Sequence, residues 1–312
     1  MSATTDDVTP VAQGVTSRPE TIAKPLGFIG LGTMGLPMAV NCARQGIAVL
    51  GCDADPTRLV MLVDDAGPDA LVHTTPVVSE VGARCEIVVL MLPTSKQVDE
   101  VVSELAESLP VGALLIDMGS SVPSETCRLA AALEPRGITL IDAPVSGAVE
   151  RARFGRLTIL LGGTDAGMEK ARIYLEAMGE RIIRTGPVGS AHAMKALNNF
   201  VYAAGLLAVL EAVGVAAAAG LDLEVFADVL NASSGRNVAS EAKLKQFILS
   251  GSYEGGFRLG LMAKDLQIAA NLAEESRVET PALATCLHVW RRALDALGPD
   301  ADNTEMHRLF SR

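Results

Sequence analysis

No Cys-x-x-Cys pair occurs in this sequence. Its five cysteines, Cys42, Cys52, Cys85, Cys127 and Cys286, are odd in number and scattered, which excludes a thiolate zinc cage or disulfide framework and points to a reducing cytoplasm. Only four histidines are present, His73, His192, His288 and His307, with no metal-ligand or Ser-His-Asp spacing among them. Cations are short too: 26 Lys and Arg face 37 Asp and Glu, a net charge of -11 that leaves no basic surface for nucleic acid or an anionic membrane. Residues 1–24 lack any apolar run, so the expectation there is a disordered extension, neither signal peptide nor membrane helix.

What is present is a globular composition, 49% hydrophobic and 20% charged, in a chain of 312 residues, enough for two domains that each bury a core. Strand and helix patterns alternate over residues 25–187 and give way to helices alone over 188–312. The predicted fold is α/β: a Rossmann-type, doubly wound, mostly parallel sheet, followed by an all-α domain that begins with a long interdomain helix.

Leu26-Gly-Phe-Ile-Gly30 reads as a short buried strand, and Gly30-Leu31-Gly32-Thr33-Met34-Gly35 follows it directly into a helix from about Thr33 to Gln45. In such a loop Gly30 makes the tight turn, Gly32 admits a pyrophosphate to the backbone, and Gly35 lets helix and strand pack closely. The helix start then offers free N–H groups to the phosphates. Asp53 closes the next strand, eighteen residues after Gly35, where a carboxylate accepts the ribose hydroxyls of NAD and repels the 2'-phosphate of NADP. The alternative is that Asp53 caps the helix near Pro56, a role equally open to Asp55; Arg58 is the nearest cation.

Further strands end at Leu92-Pro93 and at Asp117, the latter followed by Ser120. Both turns lie at carboxyl ends of parallel strands, where such sheets bind ligands, so Leu92, Pro93 and Ser120 are candidate cofactor contacts. The loop Ala143-Pro-Val-Ser146-Gly147-Ala148 offers a hydroxyl and a bare backbone N–H to a substrate carboxylate; a plain polar turn is the alternative.

The segment from Gly186 to Asn199 joins the two halves. Lys195 and Asn199 share one face of a helix whose neighbours, Phe200-Val-Tyr-Ala-Ala-Gly-Leu-Leu207 among them, are apolar all round, so the helix is expected to be buried. A buried lysine needs partners, and a lysine of lowered pKa serves as general acid and base for a hydroxyl losing hydride. His192, three residues earlier, is placed either to tune Lys195 or to act as base itself. Arg236 and Lys243 read as surface cations.

Four segments in order, Gly30 to Gly35, Asp142-Ala-Pro-Val-Ser-Gly147, Gly186 to Asn199, and Lys264-Asp265, resemble the 3-hydroxyacid dehydrogenase family of 3-hydroxyisobutyrate dehydrogenase and tartronate semialdehyde reductase, related to 6-phosphogluconate dehydrogenase. The resemblance implies Lys195 as catalytic acid/base, Asn199 positioning substrate or lysine, Ser146 and Gly147 binding the carboxylate, and Lys264 reaching cofactor and substrate. It further implies no metal, a small carboxylate-bearing substrate, and a helical domain that binds substrate and builds a homodimer or homotetramer, while NAD in preference to NADP rests on Asp53. Departures fall at Ala148 and Ala191, where the family pattern has glycine, at Gly119-Ser120, where it has Ser-Thr, and at the added charge of Glu150-Arg151. The competing expectations are an NADP-linked aldehyde or imine reductase on the same scaffold, and a dinucleotide-binding protein without turnover.

Overall fold

The computed structural model describes residues 24–310, and the expected extension lies outside them apart from Lys24. Side chains alternate between the two faces of each sheet strand. Along β1 (Leu26–Ile29), Leu26 and Phe28 enter one core and Ile29 the other; β4 (Ile87–Leu90) and β5 (Leu114–Asp117) repeat the alternation. Both faces are therefore covered, which is why these strands read as continuous apolar runs.

The remaining sheet strands are β2 (Val49–Cys52), β3 (Val72–Thr75), β6 (Thr139–Asp142), β7 (Val145–Ser146), β8 (Leu157–Gly162) and β9 (Gly179–Gly186). Their order is β3-β2-β1-β4-β5-β6-β8-β7, with β9 beside β8. Pairing is parallel from β3 to β6, antiparallel where β8 meets β6 and β7, and parallel again between β8 and β9. The chain winds one way from β1 to β3 and the other way from β4 to β6. The switch point, where a ligand crevice opens, thus lies between β1 and β4.

Helices α1 (Gly35–Arg44), α2 (Pro56–Ala66), α3 (Val78–Arg84), α4 (Ser95–Ala106), α5 (Pro123–Leu133), α6 (Ala148–Arg153) and α7 (Asp165–Met178) link these strands. Then α8 (Ser190–Ala218) runs about 43 Å at 1.5 Å per residue, and helices follow: α9 (Leu223–Ala232), a π-helix (Ser240–Leu249), α10 (Leu259–Glu275), α11 (Pro281–Leu297) and a 3-10 turn (Asn303–Leu309). They enclose a separate core around Trp290, Leu206, Leu210 and Leu266. By length and composition α8 is apolar enough to cross a membrane; here it packs on α9, α10, α11 and the β8–β9 edge.

The structure adds two points to the sequence pattern and corrects one expectation. The edge strand β3 and helix α3 carry too weak an apolar pattern to be read from sequence: of β3 only Thr75 is buried. Ser240–Leu249, within the half expected to be helical throughout, is a π-helix. And α8 is not buried all round, since Met194, Leu197, Val201 and Val215 are exposed along it.

The first turn of α8 is held from a distance. Its N-cap, Gly189, adopts φ 88 and has no side chain to cap with. Asp142, at the end of β6 and fully buried, does this instead: Oδ1 accepts from Gly189 N at 2.8 Å and Oδ2 from His192 N at 2.9 Å. A carboxylate there satisfies orphan N–H groups and meets the positive end of the helix dipole. In the loop after β7, Ala148 takes φ 54, a left-handed conformation disfavoured for a residue with a Cβ.

Asp142→Asn, which removes the charge and one acceptor, is expected to lower the unfolding free energy by about 1.5–3 kcal/mol, read from urea midpoints; an unchanged midpoint would show that the cap contributes nothing. Ala148→Gly is expected to raise it by about 0.5–1 kcal/mol, relief of backbone strain exceeding the added chain entropy.

Candidate active site

At the cofactor end, the turn after β1 demands glycine twice. Gly30 has φ 95, and a Cβ on it would run into the Met91 carbonyl; a Cβ on Gly35 would overlap the Gly30 carbonyl. Gly32 meets nothing within 4 Å, so its backbone opens onto free space. No acidic residue stands in the first turn of α1, leaving its N–H groups to an incoming phosphate. This cradle fits a pyrophosphate. Thr33 is exposed and Met34 half-buried on the same loop, while Leu31 is buried.

Asp53 is tied to that loop: its Oδ2 accepts from Leu31 N at 2.7 Å and its Oδ1 from Asp55 N at 2.8 Å. It does not cap α2. Asp55 does, accepting from Thr57 N at 2.9 Å, and Thr57 holds the Asp55 carboxyl below its usual range. Arg58, half-buried, sits 4.0 Å from Asp55. Leu92 and Pro93 follow β4 on the other side of the switch point, with the Leu92 side chain facing Gly30 and its carbonyl facing Gly119.

The junction of sheet and helices gathers the polar residues. Lys264, from α10, donates from Nζ to Ser120 O at 2.8 Å and to Pro93 O at 3.0 Å, so it bridges the turns after β5 and β4. Its neighbour Asp265 is buried, lies 3.6 Å from Lys264 Nζ, and accepts from Asn199 Nδ2 at 2.6 Å. Lys195 is 9% exposed one turn before Asn199. Burial lowers the Lys195 pKa; Asp265 opposes this, and the charge of Lys264 adds to it. Lys195, Asn199, Lys264, Pro93 and Ser120 are thereby brought together near one carboxylate, Asp265.

Ser146 ends β7 and Gly147 follows it as the N-cap of α6, both partly exposed. Gly147 has φ 138 and lies against the Arg151 side chain, whose guanidinium pairs with Glu180 at 3.3 Å. That guanidinium is therefore directed to Glu180 and not to a ligand on the loop. Arg236 is exposed and pairs with Glu241 at 3.3 Å. Lys243, expected at the surface, is half-buried and donates to Gly255 O at 2.5 Å. Burial lowers its pKa, with Asp302 opposing.

His192 is fully enclosed, which removes it as a base for a substrate in the cleft. Its Nδ1 lies 2.9 Å from Thr126 Oγ1, and its ring faces Asp142 at 3.9 Å and Asp117 at 3.8 Å. Asp117, at the end of β5, accepts from Ser121 Oγ at 2.6 Å and Gly119 N at 3.0 Å. Asp117, Asp142 and Asp265 carry no role that their spacing in the sequence reveals; the structure pairs Asp117 with Asp142 on adjacent strands.

The sequence matches two family models end to end: the NAD binding domain of 6-phosphogluconate dehydrogenase over residues 25–186, and the NAD-binding domain of NADP-dependent 3-hydroxyisobutyrate dehydrogenase over 189–310. It is 34% identical to 2-(hydroxymethyl)glutarate dehydrogenase of Eubacterium barkeri, covering 86% of this chain and 89% of the relative. Identity to the NAD-dependent L-serine dehydrogenase of Pseudomonas aeruginosa is 33%, over 92% of this chain and 98% of that one. The structure of Mycobacterium tuberculosis 3-hydroxyisobutyrate dehydrogenase with L-serine superposes with a TM-score of 0.86 at 26% identity, over 93% of this chain and all of the other. With matches spanning both halves and a dinucleotide cradle in place, the chain belongs to the 3-hydroxyacid dehydrogenase family, NAD-binding oxidoreductases that act on the hydroxyl group of small hydroxy acids.

Proposed function

We propose that this protein is an NAD-dependent dehydrogenase of a small 3-hydroxy acid, or a reductase of the matching semialdehyde, with Lys195 as general acid and base. The observation that carries the reading is Lys195 itself: a buried lysine of lowered pKa, on one helix face with Asn199 and beside the bridge that Lys264 makes to the cofactor-side turns. The substrates named for the relatives, 3-hydroxyisobutyrate, L-serine and 2-(hydroxymethyl)glutarate, share a hydroxymethyl group on the carbon that bears a carboxylate. That common unit is the proposed substrate class.

In this reading Gly30 to Gly35 hold the pyrophosphate and Asp53 the ribose, favouring NAD over NADP. Leu92, Pro93, Ser120 and Lys264 line the nicotinamide end. NAD, when bound, supplies the hydride acceptor. Neutral Lys195 takes the hydroxyl proton as the C–H bond yields its hydride, and in reverse its ammonium returns a proton to the developing alkoxide. Ser146 Oγ and the Gly147 N–H receive the carboxylate, which orients the hydroxyl toward Lys195. Asn199, anchored by Asp265, limits where the amine sits. The presence of all these groups in the sequence favours an enzyme over a sensing protein, and Lys195 with Asp53 favours this chemistry over an NADP-linked imine or aldehyde reductase.

Residues 25–187 are proposed as the nucleotide domain and 188–312 as the helical domain. The exposed apolar side chains of α8, Met194, Leu197, Val201 and Val215, support a homodimer or homotetramer built through it. Cytoplasmic location is proposed with them, on the unpaired cysteines.

A panel of 3-hydroxy acids and semialdehydes, assayed by nicotinamide absorbance with both cofactors, tests the substrate class; turnover of none of them would remove it. Lys195→Ala is expected to lose at least about a hundredfold in kcat while NAD affinity stays unchanged. Because oxidation needs the neutral amine, its kcat/KM is expected to rise with pH through a midpoint below the ordinary lysine value of about 10.4, and reduction to fall over the same interval. Asp53→Ala is expected to erode the NAD over NADP ratio; an unchanged ratio would move cofactor choice elsewhere.

A further inference from the structure

His192 is a buried titratable side chain that the proposed reaction does not use, and it stands at the most crowded polar point of the molecule. Its ring touches three elements besides its own helix. Thr126 on α5 donates to Val122 O at 3.2 Å, so its oxygen is free to accept from Nδ1–H of His192 at 2.9 Å. The Nε2 edge then turns toward Asp117 at the end of β5, 3.8 Å away, and has no hydrogen-bond partner among the described residues. Asp142 at the end of β6 lies 3.9 Å from Nδ1 and binds the backbone N–H of the same residue. An imidazole wedged between two carboxylates and a threonine fixes more than its own position.

The stripe it belongs to is the active one. His192, Lys195 and Asn199 stand at i, i+3 and i+7 of α8, and so on one side of the helix. The Asp142 bonds hold the end of α8 through the backbone alone, which restrains translation better than rotation. A side chain gripped by α5, β5 and β6 restrains rotation. A turn of about 10° moves a group roughly 8 Å from the helix axis by about 1.4 Å, and a misplacement of about 1 Å at a reacting group costs up to about a hundredfold in rate.

We propose that His192 is a positioning residue for Lys195: its ring, held by Thr126 and set between Asp117 and Asp142, locks the rotation of α8 and so fixes the lysine amine in the cleft. The proposal rests on the reading of Lys195 as the acid and base. His192 touches neither substrate nor cofactor in it.

The test uses His192→Ala, His192→Asn, whose amide overlays the Nδ1 side of the ring and keeps the Thr126 contact, and Thr126→Val, which leaves α8 unaltered. Lys195 is followed independently of turnover by reductive methylation with 13C-formaldehyde and NMR titration, its signal identified by its loss in Lys195→Arg. Expected in His192→Ala are a Lys195 midpoint moved toward those of the surface lysines and a kcat lower by about tenfold or more, with KM and NAD affinity within about twofold. Thr126→Val should shift both in the same direction, and His192→Asn should recover most of each. A folded His192→Ala with the wild-type Lys195 midpoint and kcat would overturn the proposal. So would a uniform worsening of stability, KM and cofactor affinity that His192→Asn does not relieve, since that marks an ordinary core residue. If the wild-type protein oxidises no hydroxy acid, the reading of the reaction fails, and the Lys195 titration alone decides whether His192 positions that lysine.

Discussion

The contact between Asp142 and the first turn of α8 is what the rest of the molecule hangs on. A helix of 29 residues begins with four N–H groups that have no partner inside it, and its N-cap is a glycine with nothing to offer. The partner comes from a strand end 47 residues away in sequence, as a carboxylate that is itself fully buried. Each side resolves the other's difficulty: the charge gains two backbone donors, and the donors gain an ionised acceptor, at about 1.5–3 kcal/mol apiece. Because α8 carries Lys195 and Asn199, and Asn199 reaches Asp265 on α10, one carboxylate on the sheet sets the register of the helical half against it.

Among the described residues the buried carboxylates, imidazole and ammonium are Asp117, Asp142, His192, Lys195 and Asp265, and all lie on α8 or where it meets its neighbours. Cys42, Cys52, Cys85 and Cys286 are buried elsewhere, but burial pushes their thiols up to about 11 or 12, so they pack as neutral groups. An uncompensated buried charge costs several kcal/mol, so five ionisable groups in one place require mutual satisfaction. Hydrogen bonds satisfy Asp117 and Asp142, whereas Nε2 of His192 and Oδ1 of Asp265 have no hydrogen-bond partner among the described residues. Nε2 faces Asp117 at 3.8 Å, and Oδ1 of Asp265 faces the Lys264 ammonium at 3.6 Å.

Local pattern made much of this visible in advance. The buried strands β1, β4 and β5, the glycine turn, and the change to helices alone after β9 follow from the local pattern. Strand β3 did not, because Val72-His-Thr-Thr75 sits at a sheet edge with one buried residue and so has no apolar period to read. Nor did the exposed side of α8: alanine, leucine and valine look alike in sequence whether they face the core or bulk water. At the site, Lys195 and Asn199 stood out as polar residues in an apolar helix. Asp142 and Asp265 did not, because their partners are 47 to 66 residues away and no spacing rule connects them.

Cofactor selection draws on the same economy of fixed charge. The Asp53 carboxylate is not a free side chain waiting for a ribose; backbone N–H groups from Leu31 and Asp55 hold one oxygen each. An ionised carboxylate offers about four lone-pair sites, so two remain after these bonds. Hydroxyls can use them as donors, whereas a phosphate brings only acceptors and a like charge. Because the carboxylate is tied both to the glycine turn and to the start of α2, it cannot swing away from such a charge without breaking two charge-assisted bonds at about 1.5–3 kcal/mol each. On the role proposed for Asp53, discrimination against a 2'-phosphate resides less in the presence of an acidic residue after β2 than in its immobility, and the nearest cation, Arg58, lies 4.0 Å from Asp55.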